Sequence, residues 1–501
     1  MNARPGASRA LIYSSRQARG LVLAAVIPTA LACLAQIFIG ADPLVVCIAS
    51  LTFMLSICPI AVYGFLNLGA VLIALVGFRY VGFPIFAKLA MGQPLDSNLA
   101  DPRGSFLVVL VGVIGYLAAF AFASKLPVGR PILRPTDGQK EMGLMTFLAG
   151  AVGMAASAAI AMHAGEKQTG ATVAVFFVPF LYLALICALA KNALESRALL
   201  ENWRAAMLVA VTVGFAVVVN TRGGLMDTLI CIIATDIAFK ANINWKQLAA
   251  VASAIVIMVV FITPVFLYVR TFRSNHSWRQ MITLTWDTAT HWQGAVSHYL
   301  KYTQFQASHS SFFNYYGAPE NVFERMSLVN HVDIAKDGAD TYGRLGARYL
   351  LPAIEQPIPR FLHSNKLLTT FDQGYLMYGA LGLTVGPFAT LPIIGEGYAD
   401  FGWLGAFCLP LALGSFMLLA IKKVSGFQLH KNIWAVFFLV LVNNQFVEGS
   451  SATYVVLLLR TIPQDLVVIW LLGWFSGVSF VKPLGRKGPQ LYGRRLPHTH
   501  L

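Results

Sequence analysis

Charged residues are scarce in this chain of 501 residues, at 12% of the total, while hydrophobic residues make up 57%. Soluble domains carry about 25% charged residues, so the composition excludes a soluble globular fold. The six cysteines all lie in apolar runs and form no close pairs, which indicates neither a disulfide framework nor a thiolate metal site. No glycine-rich phosphate-binding loop is present in the sequence.

Apolar runs recur from end to end of the chain, and the mean hydropathy is +0.66. A run that crosses ~30 Å of hydrocarbon must be helical, because no water is available there to satisfy the backbone. We therefore predict an all-α polytopic membrane protein with about twelve transmembrane helices. The predicted spans are 20–40, 43–58, 60–78, 105–124, 142–164, 171–190, 206–220, 224–239, 247–269, 401–421, 432–446 and 462–481.

Two pairs of predicted spans are short, and each pair is compatible with two helices, one kinked helix or a re-entrant hairpin. One pair meets at Pro59 and the other at 221–224. We predict three regions along the chain: helices one to nine in 1–269, a large periplasmic loop with short helices in 270–400, and helices ten to twelve with a basic tail in 401–501.

The distribution of basic residues predicts that both termini are cytoplasmic. With that topology the inside segments hold 21 lysines and arginines. The short outside loops hold only Arg79, Lys88, Arg103, Lys167 and Arg222, as the positive-inside rule requires. Most of the net charge of +15 then reflects the topology, and the basic residues contact anionic membrane lipids. It does not indicate a nucleic-acid partner.

The polar stretch 270–372 is rich in arginine, histidine and aromatic residues. The planar fork of arginine suits phosphate oxygens, and Arg222 and Arg460 lie beside apolar sequence at the predicted outer edge of the bilayer. Arg270 and Arg273 share one face at a helix exit. Each arginine has an alternative role at the lipid head groups, and Arg222 has one as a partner of Asp227. The histidines lack metal-ligand spacing, so no metal site is predicted.

Three motifs resemble those of the bacterial oligosaccharide repeat-unit polymerases, also called O-antigen or Wzy-type polymerases. They are Thr221-Arg222-Gly223-Gly224-Leu225 at a helix start, Ile358-Pro359-Arg360-Phe361-Leu362 followed by Lys366, and the segment 395–405 with the sequence GEGYADFGWLG. The resemblance covers mainly residues 210–420, and the amino-terminal half is similar in hydropathy only.

The resemblance implies that the protein joins oligosaccharide units carried on undecaprenyl diphosphate at the periplasmic face of the bacterial inner membrane. The implied partners are the lipid-linked oligosaccharide, membrane lipids and a chain-length regulator, with no cofactor. Such a reaction requires a cationic clamp for the diphosphate, a base near the acceptor hydroxyl and a groove for sugars.

The candidate residues follow from these requirements. The candidates for binding diphosphate or glycan are Arg222, Arg270, Arg273, Arg360, Lys366, Tyr398 and Arg460. Glu396, Asp400 and His363 are the candidate bases, because a partly buried carboxylate or a histidine can accept a hydroxyl proton. Glu396 and Asp400 share a face if helical, but Gly395, Gly397 and Gly402 favour a turn equally. Each candidate base is also compatible with a structural role as a hydrogen-bond anchor.

Two alternatives remain open on the sequence. An O-antigen ligase has a similar helix count and a late outside loop, and the segment 363–367 is compatible with it. A transporter or flippase for a lipid-linked glycan belongs to a different class and requires charges within several spans. The predicted spans carry few charges, of which we noted Asp227 and Asp236, so we favour the polymerase.

Overall fold

A computed structural model of the chain describes residues 5–134, 138–162, 174–195, 202–218, 222–240, 253, 257, 262–270, 278–298, 301, 315–316, 326–358, 376–382, 391–476 and 480–481. Side chains at some helix ends, among them those of Arg222 and Arg270, lie outside the described part. Within these ranges the secondary structure is helical except for two isolated β-bridges, which confirms the all-α class.

Fifteen helices are numbered here in chain order, within the part of the chain that the structure describes. They are α1 (Pro5–Phe38), α2 (Pro43–Tyr63), α3 (Leu68–Ala90), α4 (Pro102–Lys125), α5 (Gln139–Met162), α6 (Pro179–Leu194), α7 (Trp203–Val218), α8 (Arg222–Lys240), α9 (Thr263–Arg270), α10 (Trp278–Thr290), α11 (Val329–Tyr342), α12 (Leu350–Glu355), α13 (Ile393–Val424), α14 (Ile433–Glu448) and α15 (Ser451–Phe475). Two of them contain π-helical turns, Phe78–Gly82 in α3 and Leu457–Thr461 in α15.

Six helices are long and apolar enough to cross a membrane, namely α2, α3, α4, α5, α13 and α15. Shorter apolar helices form the rest of the bundle: Val22–Phe38 within α1, α6, α14 and most of α7. The chain is therefore a multi-pass membrane protein. The full number of twelve spans stays a prediction, and most of the predicted span 247–269 lies outside the described residues.

The predicted helix boundary at Pro59 is wrong, because α2 continues through this proline to Tyr63. Proline is tolerated inside membrane helices when the surrounding protein satisfies the freed backbone groups. The break falls instead at Gly64, whose φ of 82° suits glycine, and Asn67 then caps α3 by accepting a hydrogen bond from the Ala70 N–H at 3.1 Å. At the second doubtful junction α7 ends at Val218 and α8 begins at Arg222, and the two helices pack together.

Contacts between helix ends define two opposite ends of the bundle. At one end the Lys422 ammonium donates to the carbonyls of Ala123, Ser124 and Leu126, and the Trp434 indole donates to the Arg134 carbonyl. We call this the basic end. At the other end, the α11 end, Leu328 donates to the Arg79 carbonyl. The assignment of the basic end to the cytoplasm stays a prediction.

The long α4 and α13 pack along each other through small residues. A Cβ atom added at Gly115 would lie 2.5 Å from the Phe407 carbonyl oxygen, and one added at Gly112 would lie 2.6 Å from the Ile394 side chain. Small residues allow such close approach of membrane helices. This contact fixes the backbone of α13, which carries two of the candidate bases.

Candidate functional site

Helix α13 consists of two arms joined at Gly402, where φ is 65° and ψ is −145°. We call 393–401 the short arm, 403–424 the long arm and their junction the elbow. The short arm folds back so closely that a Cβ atom on Gly405 would lie 1.9 Å from the Gly397 carbonyl oxygen. The segment is therefore helical through Gly395 and Gly397 and turns at Gly402, which resolves the choice that the sequence left open.

Glu396 lies on the short arm and is fully buried, with 0% of its surface exposed. Its carboxylate accepts hydrogen bonds from the Ser451 backbone N–H at 2.6 Å and from the Ser451 hydroxyl at 2.5 Å. Ser451 is the first residue of α15, and the first N–H groups of a helix have no partner within the helix. Glu396 thus caps α15 and ties its start to the short arm.

Asp400 lies one helical turn after Glu396 and is only 1% exposed. Neither of its carboxylate oxygens has a hydrogen-bond partner among the described residues. The spacing of four residues places it on the helix face that carries Glu396. Buried polar groups nearly always have partners, and one without a donor costs free energy. Asp400 therefore differs sharply from its neighbour, although both are buried carboxylates.

Tyr398, a candidate for glycan binding, contacts α11 and the segment after it. Its hydroxyl donates to Asp340 at 3.2 Å, and the Arg344 guanidinium lies 4.1 Å from the centroid of its ring. Arg344 also donates to the Tyr398 carbonyl at 3.1 Å. These contacts fasten the short arm to α11.

Lys336 of α11 extends this set of contacts to the start of α4. Its ammonium lies 2.6 Å from Asp101 and 2.8 Å from Asp340, and Asp340 lies 2.7 Å from Arg344. We call Asp101, Lys336, Asp340, Arg344 and Tyr398 the latch. Burial alone would lower the pKa of Lys336, but its hydrogen bonds to the two aspartates raise the pKa above its usual value. The hydrogen bond from Lys336 lowers the pKa of Asp101.

The latch is expected to weaken in acid. The pKa of Asp340 is also lowered, because the bonds from Lys336 and Arg344 outweigh its partial burial. Carboxyls with lowered pKa contribute stability that is fully present above their unfolded pKa of about 4 and is lost as pH falls through the folded value. Lys336, whose pKa is raised, contributes below about pH 10. The latch should therefore hold between these limits.

Hydrogen exchange of α11 peptides from pH 7 down to pH 3 would measure the weakening of the latch in acid. The wild-type protein should lose protection below about pH 4, and Lys336→Met should flatten that loss while lowering protection at pH 7. An equally steep acid loss in Lys336→Met would contradict the assignment of the pH dependence to the latch.

Asp333 is a third buried carboxylate at the α11 end. It accepts hydrogen bonds from the backbone N–H groups of Ala100 and Asp101 at 2.8 and 3.0 Å and from the Ser105 hydroxyl at 2.7 Å. Burial raises its pKa despite these bonds. It holds the two residues before α4 and the Ser105 side chain in place, so it is a structural anchor like Glu396.

Most of the other predicted site residues lie outside the described part of the chain. Arg273, Arg360, His363 and Lys366 belong to the ranges that the structure does not describe, and Arg222 and Arg270 are described by their backbone only. Arg222 begins α8 and Arg270 ends α9. Their grouping with Glu396 and Asp400 stays a prediction, as does the pairing of Arg222 with Asp227.

The last span was predicted to begin at 462, with Arg460 just before it at the bilayer edge. The helix begins earlier than predicted, and the place of Arg460 at the bilayer edge stays a prediction. Helix α15 begins at Ser451, so Arg460 lies nine residues inside it, within the π-helical turn. The helix starts early because Glu396 caps Ser451. The Arg460 guanidinium lies 4.1 Å from the centroid of the Phe176 ring, a distance at which cation–π attraction is effective.

Three charged residues inside apolar helices were missed by the sequence analysis. Arg79 donates to the Met326 carbonyl at 2.9 Å and pairs with Glu448. Lys88 donates to the Ser97 hydroxyl at 2.8 Å, and Asp465 is buried in α15. Asp465 was visible as a carboxyl within the span 462–481. Arg79 and Lys88 were predicted in a short outside loop because the third span was predicted to end at 78, whereas α3 continues to Ala90.

Comparison of the chain with known proteins finds no matching family model, no matching curated protein and no matching solved structure. Among the described residues, no three His, Cys, Asp or Glu side chains are close enough to hold a metal ion. The function is therefore argued from the motifs of the chain and the geometry of the elbow.

Proposed function

We propose that the protein is a glycosyltransferase of the inner membrane that joins undecaprenyl-diphosphate-linked oligosaccharide units into a polysaccharide. The observation that carries this proposal is the elbow. The segment 395–405, which resembles the polymerase motif, buries the carboxylates of Glu396 and Asp400 at the α11 end of an apolar bundle. Intramembrane ionisable groups are costly and mark functional sites.

The proposed reaction transfers the growing chain from its lipid carrier to an incoming unit. The acceptor hydroxyl loses its proton to a base, its oxygen bonds to the anomeric carbon of the donor chain, and the bond from that carbon to the diphosphate breaks. The electron pair stays on the diphosphate, which requires nearby cations.

The cations of the latch do not fill that role in the described arrangement, since Lys336 and Arg344 are both paired with Asp340. We therefore assign the diphosphate to the sequence-predicted group of Arg222, Arg270, Arg273, Arg360, Lys366 and Arg460. Arginine stays charged at every relevant pH and binds phosphate oxygens in pairs.

Deleting the gene in the source bacterium and analysing its lipid-linked glycans tests the function. A polymerase mutant should accumulate single units on the lipid carrier at the periplasmic face. Accumulation of finished long chains on the carrier would support the ligase instead. Single units trapped at the cytoplasmic face would support the flippase, which the charged residues inside α3 and α15 make a stronger rival than the sequence suggested.

Arg222→Ala and Arg273→Ala are each expected to abolish long-chain polysaccharide while the protein still reaches the membrane, because the leaving diphosphate loses a charge-assisted contact. Gel profiles of the polysaccharide, with immunoblots of membranes, would measure both. Arg103→Ala is the control, since that exposed arginine pairs with Asp42 at the α11 end and should be dispensable. Normal chain lengths in both variants would contradict the clamp.

A further inference from the structure

The two carboxylates of the short arm are one helical turn apart, but their hydrogen bonding is opposite. Both oxygens of Glu396 accept short bonds from Ser451. Both oxygens of Asp400 are without a partner in the described part of the chain. The sequence offered the two residues as equivalent candidates for the base, and the hydrogen bonds separate them.

We infer that Asp400 is the catalytic base of the glycan transfer and that Glu396 is a positioning residue that holds the start of α15 against the short arm. This inference rests on the proposed function, since the reaction defines what Asp400 accepts. It also goes beyond that function, because it gives the two carboxylates different roles. Replacing each carboxylate by its amide should therefore have different effects on stability and on chain extension.

The role of Glu396 follows from what its removal would leave behind. The Ser451 N–H belongs to the first turn of a helix and has no partner within that helix, and the buried carboxylate of Glu396 satisfies it. A buried donor left without an acceptor is costly. Both carboxylate oxygens thus hold Ser451 in place, which is a structural task that Asp400 does not share.

The role of Asp400 follows from the free-energy cost of burying its carboxylate without a hydrogen-bond donor. A buried carboxylate without a donor destabilises the fold, and proteins retain such costs mainly at functional sites. Within the described part of the chain its missing partner is a hydrogen-bond donor, which an acceptor hydroxyl supplies. In the transfer the hydroxyl proton moves to Asp400, the oxygen bonds to the anomeric carbon, and the diphosphate leaves with the electron pair.

Asp400 is 1% exposed in the described arrangement, so the hydroxyl reaches it only after a movement at the α11 end. The latch closes this end of the bundle by fastening the short arm to α11 through Arg344 and Tyr398. The proposal therefore requires that the substrate loosen contacts at this end on binding.

Asp400→Asn and Asp333→Asn provide a matched test, because both replace a buried aspartate at the α11 end by the same amide. Asp333 accepts three hydrogen bonds, whereas no donor reaches Asp400 in the described residues. In the purified full-length protein, Asp333→Asn should lower the melting temperature and Asp400→Asn should leave it unchanged or raise it. In cells at matched membrane levels, Asp400→Asn should lower chain extension by about 100-fold or more.

Glu396→Gln and Ser451→Ala test the positioning role by their coupling. Each alone should lower the melting temperature. The double variant should melt little below the worse of the two, because both changes disrupt the bond between the Ser451 hydroxyl and the Glu396 carboxylate. Asp400→Asn combined with Ser451→Ala should show no such coupling. Glu396→Gln should retain more extension than Asp400→Asn at temperatures where both are folded.

The outcomes of these experiments distinguish the base assignment of Asp400 from the proposed function of the protein. Normal extension in Asp400→Asn would overturn the base assignment while leaving the proposed function intact. A melting temperature lowered as much in Asp400→Asn as in Asp333→Asn would show that Asp400 is another anchor and would also overturn it. Gene-deleted cells that accumulate no single units on the lipid carrier would instead overturn the proposed function.

Discussion

Gly405→Ala is expected to prevent the short arm from folding back on the long arm. The new Cβ atom would lie 1.9 Å from the carbonyl oxygen of Gly397 and 2.9 Å from the Phe401 side chain. The first contact is with backbone, which has no rotamer to relieve it, and Gly402 already holds a φ of 65° that most side chains disfavour. The arms must separate, so we expect a loss of at least about 3 kcal/mol.

Separation of the arms would also pull Glu396 away from Ser451 and release the start of α15. The loss should therefore appear both as a lower melting temperature of the purified protein and as reduced accumulation in the membrane. Gly214→Ala is the matched control, since nothing lies within 4 Å of its added Cβ atom in α7. It should be neutral or stabilise by up to about 1 kcal/mol. A Gly405→Ala protein as stable as this control would contradict the close contact at the elbow.

The sequence predicted the helical class because long apolar runs in lipid have few alternatives. It placed helix ends less well, since caps come from distant parts of the chain. The start of α15 at Ser451 depends on Glu396, which is 55 residues away in sequence. The predicted spans therefore left 447–461 between two helices, although Ser451 already begins α15.

The sequence also identified Glu396 and Asp400 but could not separate their roles. Their spacing showed a shared helix face. The difference between them is that Glu396 accepts hydrogen bonds from Ser451, a residue that only the fold brings close. The latch was missed for a related reason: Lys336 and Asp340 occur in a loop full of charges, and only the fold brings them to Asp101 of α4. Arg344 is one of several arginines in the stretch 270–372, and nothing in the sequence distinguishes it.

Arg79→Met is expected to destabilise the α11 end of the described bundle. Arg79 lies in the π-helical turn of α3, with 13% of its side chain exposed, and pairs with Glu448 at the end of α14, which is 30% exposed. It also donates to the Met326 carbonyl just before α11. One side chain thus joins three segments of the α11 end.

Removing one partner of a buried ion pair leaves the other desolvated and costs about 3–5 kcal/mol. Glu448 is partly exposed, so we expect about 2–3 kcal/mol for Arg79→Met, measured by denaturation of the purified protein. The double variant Arg79→Met/Glu448→Gln should recover part of this loss, because it removes the carboxylate left alone. Arg103→Met, which breaks the exposed pair with Asp42, should change stability little. If the double variant were no more stable than Arg79→Met, the loss would come from the Met326 contact and the packing of the side chain, and the ion pair itself would contribute nothing.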